Sequence, residues 1–319
     1  MLKQFHKNKA FSRLMLVAMM IGLTGFAVFA VDSPAAQTSE AAKVIPGEFT
    51  DAKAMYLIFG NYNPLTEHSK TILTSEELAK YPLVNVSVPP EEESANVETK
   101  DGDESDAKAS ETESNENQAE PPMEVEAQAN FSKAYKQGGT ERRILLVTVF
   151  SENFSCHTCQ PILGGAVFTK VSNGWRLDSF TKCIGQMGVF NIIREGRLVQ
   201  IGKDRFGVLI QPEDWAQGQF SRDLAIVTEV EGNLRLVCQV NNVDGDNSGN
   251  AVPGKMDDQF RFSSKLTFPK LKGSDWFDIL IETKGTKPDP DLDSDKLISA
   301  KQVLRFTFKD GQYQPVGKQ

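Results

Sequence analysis

Histidine is scarce in these 319 residues: His6, His68 and His157 are the only three, and only His157 lies beyond the first 70 positions. A histidine–serine–carboxylate triad in the C-terminal part is thereby excluded unless His157 supplies the imidazole. Gly164-Gly165 and Gly185 lack the spacing and the terminal Lys-Ser or Lys-Thr of a phosphate-binding loop. Basic clusters are missing as well. With a net charge of −8, neither a basic groove for nucleic acid nor a polybasic membrane patch has support.

Long apolar runs are equally few. The N-terminus places Lys3, Lys7, Lys9 and Arg13 before a largely apolar run of 17 residues, 14–30, that closes on Val28-Phe29-Ala30. A basic start, a short apolar stretch and small residues at its end predict a signal peptide over 1–30, cleaved after Ala30. The alternative is an uncleaved anchor, because 17 residues stand at the low edge of a helical span. No cysteine stands near Ala30, which argues against a lipid-modified N-terminus. The expected location is periplasmic or secreted, with membrane contact only through an uncleaved N-terminus.

The acidity is concentrated in one stretch. Residues 91–130 carry 14 Asp and Glu against Lys100 and Lys108, and the rest of the chain beyond residue 30 sums to zero. Between 89 and 130 there is no aromatic residue. Such a composition buries too little apolar surface to offset the entropy of ordering it. The expected organisation is therefore a flexible leader over 31–44, a small folded or docking segment over 45–88, a disordered acidic linker over 89–130, a main domain over 131–316 and a tail over 317–319. Segment 45–88 is too apolar for linker, with Phe49, Met55, Tyr56, Leu57, Ile58 and Phe59 close together. Ser75-Glu76-Glu77-Leu78 reads as the first turn of a helix capped by Thr74 or Ser75.

The main domain reads as strands of five to seven residues joined by Gly, Asn and Asp turns. ILLVTVF (144–150) is a buried strand, and 166–170 with 174–180 form a hairpin across Ser172-Asn173-Gly174. Strand-sized pieces follow at 187–193, 197–201, 205–211, 223–230, 233–240, 260–266, 278–284 and 303–309, with turns at Glu195-Gly196, Glu231-Gly232 and Asp310-Gly311. The lead 131–136 reads as a short helix or an extended piece. The fold expected is mostly β, an antiparallel sandwich or barrel-like C-terminal domain.

FSENFSCHTCQPILGGAVF (150–168) holds the most concentrated chemistry in the chain. Cys156, Cys159, Cys183 and Cys238 are the only cysteines. In an oxidising compartment all four are disulfide candidates, with three complete pairings open. A strand followed by Cys156-His157-Thr158-Cys159 resembles the thioredoxin arrangement. The resemblance implies a redox-active pair whose first thiolate is favoured by a helix N-terminus. Pro161, Gly164 and Gly165 stand where that arrangement continues into its helix. Cys156, His157, Cys159 and Cys183 also include zinc donor types, provided that they converge and stay reduced.

Oxygen donors recur at Asp244, Asp246, Ser248 and Asn250, at alternate positions around Gly245 and Gly249, as a calcium loop requires. Lys255 stands where a helix–loop–helix calcium site uses Glu, whereas Asp257 and Asp258 offer carboxylates in another geometry; Asp289, Asp291, Asp293 and Asp295 form a second such stretch. Asp178, Glu213, Asp214 and Asp223 are available for carboxylate-only glycoside hydrolysis, and Trp175, Trp215 and Trp276 for lining a carbohydrate groove. Two accounts follow. One is an exported envelope binding or accessory protein with a disulfide-stabilised β-rich domain and an envelope or extracellular ligand. The other is a periplasmic thiol-disulfide oxidoreductase using Cys156 and Cys159.

Overall fold

The structure, a computed structural model, describes residues 43–81, 121–152, 156–194, 196–250, 259–289 and 296–317. The signal-peptide expectation over 1–30, most of the leader and most of the acidic stretch lie outside the described residues. Among the described residues, no helix is long and apolar enough to cross a membrane. The fold is mostly β, as expected: two antiparallel sheets, one of them a curled half-barrel.

The first sheet is built from both sides of the acidic stretch. Val44–Pro46 (β1) leads to the helix Asp51–Phe59 (α1), then to His68–Leu73 (β2) and the short helix Ser75–Lys80 (α2). Thr74 caps α2 in a full capping box with Glu77, as the Thr-Ser-Glu-Glu pattern predicts. After the acidic residues come Met123–Gln137 (β3), Thr140–Phe150 (β4), Ile162–Val171 (β5) and Gly174–Gln186 (β6), in the order β1-β6-β5-β4-β3-β2. Ala54, Met55, Leu73 and Leu78 bury themselves against Val125, Leu145 and Phe168. The segment over 45–81 is therefore part of the main domain, not a separate unit.

One expectation is corrected here. The disordered linker was expected to run to residue 130, but β3 begins at Met123, because Val125 and Ala127 alternate with Glu124 and Glu126 and put an apolar edge into the core. Of the two readings of 131–136, the extended one holds: these residues are the second half of that strand.

The β5–β6 hairpin turns across Ser172-Asn173, as the Asn-Gly signal predicts. Gly174 must be glycine, because a Cβ there would stand 2.0 Å from the carbonyl oxygen of Ile45 on β1. Gly164 has the same kind of role. Its missing side chain lets β6 bulge over 182–184, where a Cβ would meet the Lys182 carbonyl oxygen at 2.5 Å.

The second sheet contains Arg197–Gly202 (β7), Arg205–Ile210 (β8), Glu213–Ala216 (β9), Gln219–Val230 (β10), Asn233–Asp246 (β11), Arg261–Thr267 (β12), Ile279–Pro288 (β13), Leu297–Ser299 (β14), Gln302–Lys309 (β15) and Gln312–Pro315 (β16). Its order is β16-β15-β13-β12-β11-β10-β8-β7, with β9 paired to β10 and β14 to β13. Glu231 and Gly232, both with positive φ, form the two-residue turn between β10 and β11.

Alternation gives this sheet two apolar faces. Val208, Ile210, Ala225, Val227 and Leu234 meet Ile144, Leu146, Leu163 and Val167 of the first sheet. Ile201, Leu224, Ile226 and Cys238 face the other way and are enclosed by Ile279, Ile281, Phe306 and Tyr313 as the sheet curls. Tyr313 secures the curl: its hydroxyl, on the last strand, donates to the carbonyls of Ile201 at 3.3 Å and Phe277 at 3.0 Å.

Residues 187–193, expected as a strand, instead form a turn closed by the Ile192 N–H donating to the Val189 carbonyl. Phe190 and Asn191 occupy its centre in the left-handed region, while Met187 and Ile193 anchor its ends in the core between the sheets.

Candidate functional site

A cleft of about 560 Å³ lies where the second sheet parts. β11 and β12 share only two register pairs, Gly245↔Phe262 and Asp246↔Arg261. Beyond these, side chains replace the backbone ladder. Asp244 Oδ1 accepts from the Ser264 N–H at 2.6 Å, and the Ser264 hydroxyl donates to the Val243 carbonyl. A bulge in β11 widens the gap. Asn241, Asn242 and Val243 oppose a single β10 residue, Asp223, whose carboxylate accepts the Asn242 N–H at 2.8 Å.

The cleft floor is apolar. Ile281, Leu304 and Val243 line it together with the Phe262 ring, which lies over Gly245 so closely that a Cβ on Gly245 would meet it at 2.8 Å. Phe220 and Phe260 flank the opening, and Trp215, directly opposite Phe220 on β9, adds its ring at a centroid distance of 4.6 Å. The polar lining is dominated by amides: Gln217, Gln219, Asn241, Asn242 and Gln302. Among the described residues Asp214 and Lys287 are its two charged ones, so the described lining carries little net charge.

None of the tryptophans expected to line a carbohydrate groove lines this cleft among the described residues; Trp215, 58 % exposed, stands beside it against Phe220. Trp175 is buried beside Phe49, and Trp276 is stacked on Phe308 at 3.6 Å. The carboxylates divide similarly. Asp178 is held by Arg142, Arg176 and Thr169 on the first sheet, whereas Glu213, Asp214 and Asp223 border a smaller cleft beside the main one.

The oxygen donors expected to form a calcium loop are engaged with the protein. Asp244 and Asp246 belong to β11 rather than to a loop. Asp244 is buried and accepts from Arg222 at 2.7 Å as well as from Ser264, so it ties β10, β11 and β12 together. Asp246 accepts from the Ser248 N–H and hydroxyl, which holds its carboxyl below the usual carboxylate range. The Asn250 side chain, Lys255, Asp257, Asp258, Asp291, Asp293 and Asp295 lie outside the described residues.

The cysteine motif lies between the end of β4 and the start of β5. Cys156 and Cys159 are at disulfide distance, 2.16 Å. Cys159 is buried and Cys156 half-buried. Cys183 and Cys238 have free thiols. They sit in different cores: Cys183 against the outer face of the first sheet and Cys238 inside the half-barrel. Burial pushes the Cys183 thiol up to about 11 and the Cys238 thiol up to about 12. The zinc set drawn from Cys156, His157, Cys159 and Cys183 does not assemble, because two of its sulfurs bond each other and His157 turns away.

His157 points to the second sheet. Its Nε2 lies 2.6 Å from Asp214 Oδ1, and its ring meets Phe190 edge to face at 5.0 Å. The turn at 189–192 supports the same loop, with the Asn191 N–H donating to the Cys159 carbonyl at 3.0 Å. No helix follows Cys159; β5 begins at Ile162, so the helix N-terminus implied by the thioredoxin resemblance is absent from this motif. Asp214 both lines the main cleft and holds the cysteine loop.

Another group was not anticipated from sequence. His68, Glu126 and Glu152 bring one nitrogen and two carboxylate oxygens within 4.8 Å of one another at the end of the first sheet. Compared with family models, curated proteins and solved structures, the chain matches none.

Proposed function

We propose that the chain is an exported envelope binding protein whose cleft between β11 and β12 takes an uncharged glycan segment. The observation that carries this reading is the pairing of an aromatic floor and flank with an amide-rich rim in a cleft of about 560 Å³. A sugar ring has an apolar C–H face that suits Phe220, Phe262 and Trp215, and hydroxyls that suit amides, which both donate and accept. The volume lies within the range of small-molecule sites. The near balance of charge in the lining favours a neutral ligand over a nucleotide or an acidic peptide.

The test is titration of the full chain with two neutral oligosaccharides, chitotetraose and maltotetraose, read by the fluorescence of Trp215. Saturable quenching by at least one sugar, lost in Trp215→Phe and weakened in Gln302→Ala, is expected. No saturable change up to about 10 mM of either sugar, well into the range of weak binding, would reject the reading.

A second reading rests on the different exposure of the two motif cysteines. A half-exposed Cys156 and a buried Cys159 fit a thiol-disulfide exchanger. In it a substrate thiolate attacks Cys156 of the Cys156–Cys159 bond, forms a mixed disulfide and releases the Cys159 thiolate. A second substrate thiolate then attacks the substrate sulfur of that mixed disulfide, closes the substrate disulfide and releases the Cys156 thiolate, so that the pair is reduced as the substrate is oxidised. A reduction potential above about −200 mV would favour this reading over a structural bond.

A further inference from the structure

We propose that His68, Glu126 and Glu152 form a divalent-cation site, with zinc as the ion whose chemistry fits. The inference is independent of the cleft and of the cysteine motif. It starts from register. β2 and β3 pair His68 with Gln128 and Lys70 with Glu126, while β3 and β4 pair Glu126 with Phe150. His68 and Glu126 are therefore diagonal neighbours on one face, and Glu152 follows two residues after Phe150. The Phe150 ring meets the imidazole edge to face at 5.2 Å and holds its plane.

The donors converge. His68 Nδ1 is 2.8 Å from Glu126 Oε2 and 4.0 Å from Glu152 Oε1. Two donors bound tetrahedrally at zinc distances of about 2.0–2.1 Å stand about 3.4 Å apart, so the two observed separations bracket the requirement. Small side-chain adjustments bring all three onto one ion, which leaves its fourth position for water. Glu152, 63 % exposed, has the freedom to make the larger shift.

Electrostatics point the same way. His68 Nδ1 is shielded from solvent. A nitrogen lone pair and a carboxylate oxygen facing each other at 2.8 Å need a positive centre between them, either a proton or a metal ion. A proton joins two atoms, whereas the third oxygen, from Glu152, completes a metal's set. The neighbouring cation, Lys70, is engaged elsewhere, 2.7 Å from Glu124. Two carboxylates thus face one imidazole, and a divalent ion would balance their charge. No thiol belongs to the set, so the site is indifferent to the redox state of its surroundings. Its physical effect is to bind the start of the β4–β5 loop, four residues before Cys156, to β2 and β3.

The test is calorimetric titration of chelator-treated full-length chain with zinc chloride, repeated with cobalt chloride to read coordination geometry from visible absorption. One ion per chain with tetrahedral cobalt bands is expected. Glu152→Gln and His68→Ala should each weaken zinc binding at least about tenfold, the usual scale for removing a metal partner, and His157→Ala should not. Glu152 is exposed, so its variant keeps the fold even where His68→Ala does not. No saturable binding up to about 1 mM zinc, a range that covers even weak sites, would overturn the proposal. Binding untouched by Glu152→Gln, or abolished by His157→Ala, would overturn it too. So would zinc-independent behaviour in which Glu126→Gln merely lowers the melting point, the mark of a histidine–glutamate ion pair only.

Discussion

His157 Nε2, between the two bonded cysteines, lies 2.6 Å from the Oδ1 of Asp214, a residue of the other sheet that also lines the main cleft. Both side chains are more than a third exposed, so the pair is screened and contributes less than about 1 kcal/mol. Its larger effect is positional. A double-mutant cycle of His157→Ala and Asp214→Ala, read by urea midpoints, should give a small coupling. Either single variant should speed reduction of the Cys156–Cys159 bond by dithiothreitol. Unchanged reduction rates would show that the loop is held without the pair.

Gly245 makes room for the Phe262 ring. Gly245→Ala puts a methyl group 2.8 Å from that ring, and overpacking of this kind typically costs about 1–3 kcal/mol. The displaced ring should also reduce the cleft floor. Thermal melting reads the first effect and oligosaccharide titration the second. A variant with native stability and native sugar response would show that the ring has somewhere else to go.

Asp244 holds three strands at the point where the sheet opens. Asp244→Ala leaves Arg222 with Glu213 alone and the Ser264 N–H without its acceptor. Loss of a buried charged partner should cost about 3 kcal/mol. Millimolar calcium should neither raise the melting point of the native chain nor rescue the variant. A calcium-dependent increase in the native melting point would return this carboxylate to the role of an ion ligand.

The partly buried Cys183 thiol and the buried Cys238 thiol set an alkaline limit. Their folded pKa values are raised, to about 11 for Cys183 and about 12 for Cys238, above the roughly 8.5 of an unfolded cysteine. The folded state therefore holds these protons more tightly. This contribution to stability is complete below about pH 8.5 and falls as pH rises toward 11 and 12. Urea midpoints measured across that range should decline, and the decline should be shallower in Cys238→Ala. Iodoacetamide should leave both thiols unmodified in the native chain at pH 8. Rapid native labelling at Cys238 would contradict its burial.

Much of this fold could be read from local signals. Gly174 and Gly232 marked hairpins because glycine takes positive φ without strain, and Thr74 or Ser75 ahead of Glu77 marked a helix start through side-chain oxygens. The longer strands of the half-barrel were legible because their apolar residues alternate, whereas the short β9, β14 and β16 were not expected. The start of β3 was hidden because its residues over 123–127 carry two glutamates and only modest apolar side chains. Residues 187–193 looked like a strand since nothing local announces that Phe190 will adopt a left-handed backbone. The cleft was illegible for a different reason. Its floor and rim come from β10, β11, β12, β13 and β15, so no stretch of sequence contains it. His68, Glu126 and Glu152 share no motif spacing and meet only through strand register.

The course of the chain around the first sheet has one more consequence. α2 ends at Lys80 and β3 begins at Met123, yet Leu73 and Met123 are register partners on adjacent strands. β2 and β3 are thus adjacent antiparallel strands with α2 and the acidic stretch between them in sequence. A break in the backbone there would divide the chain into a short fragment carrying β1, α1, β2 and α2 and a long one carrying all the other strands. The short fragment would keep its ladders to β6 and β3 and its place in the core beside Phe168. Among the described residues, the two fragments would therefore meet as a complementation pair does, through the β1–β6 and β2–β3 ladders and a shared core.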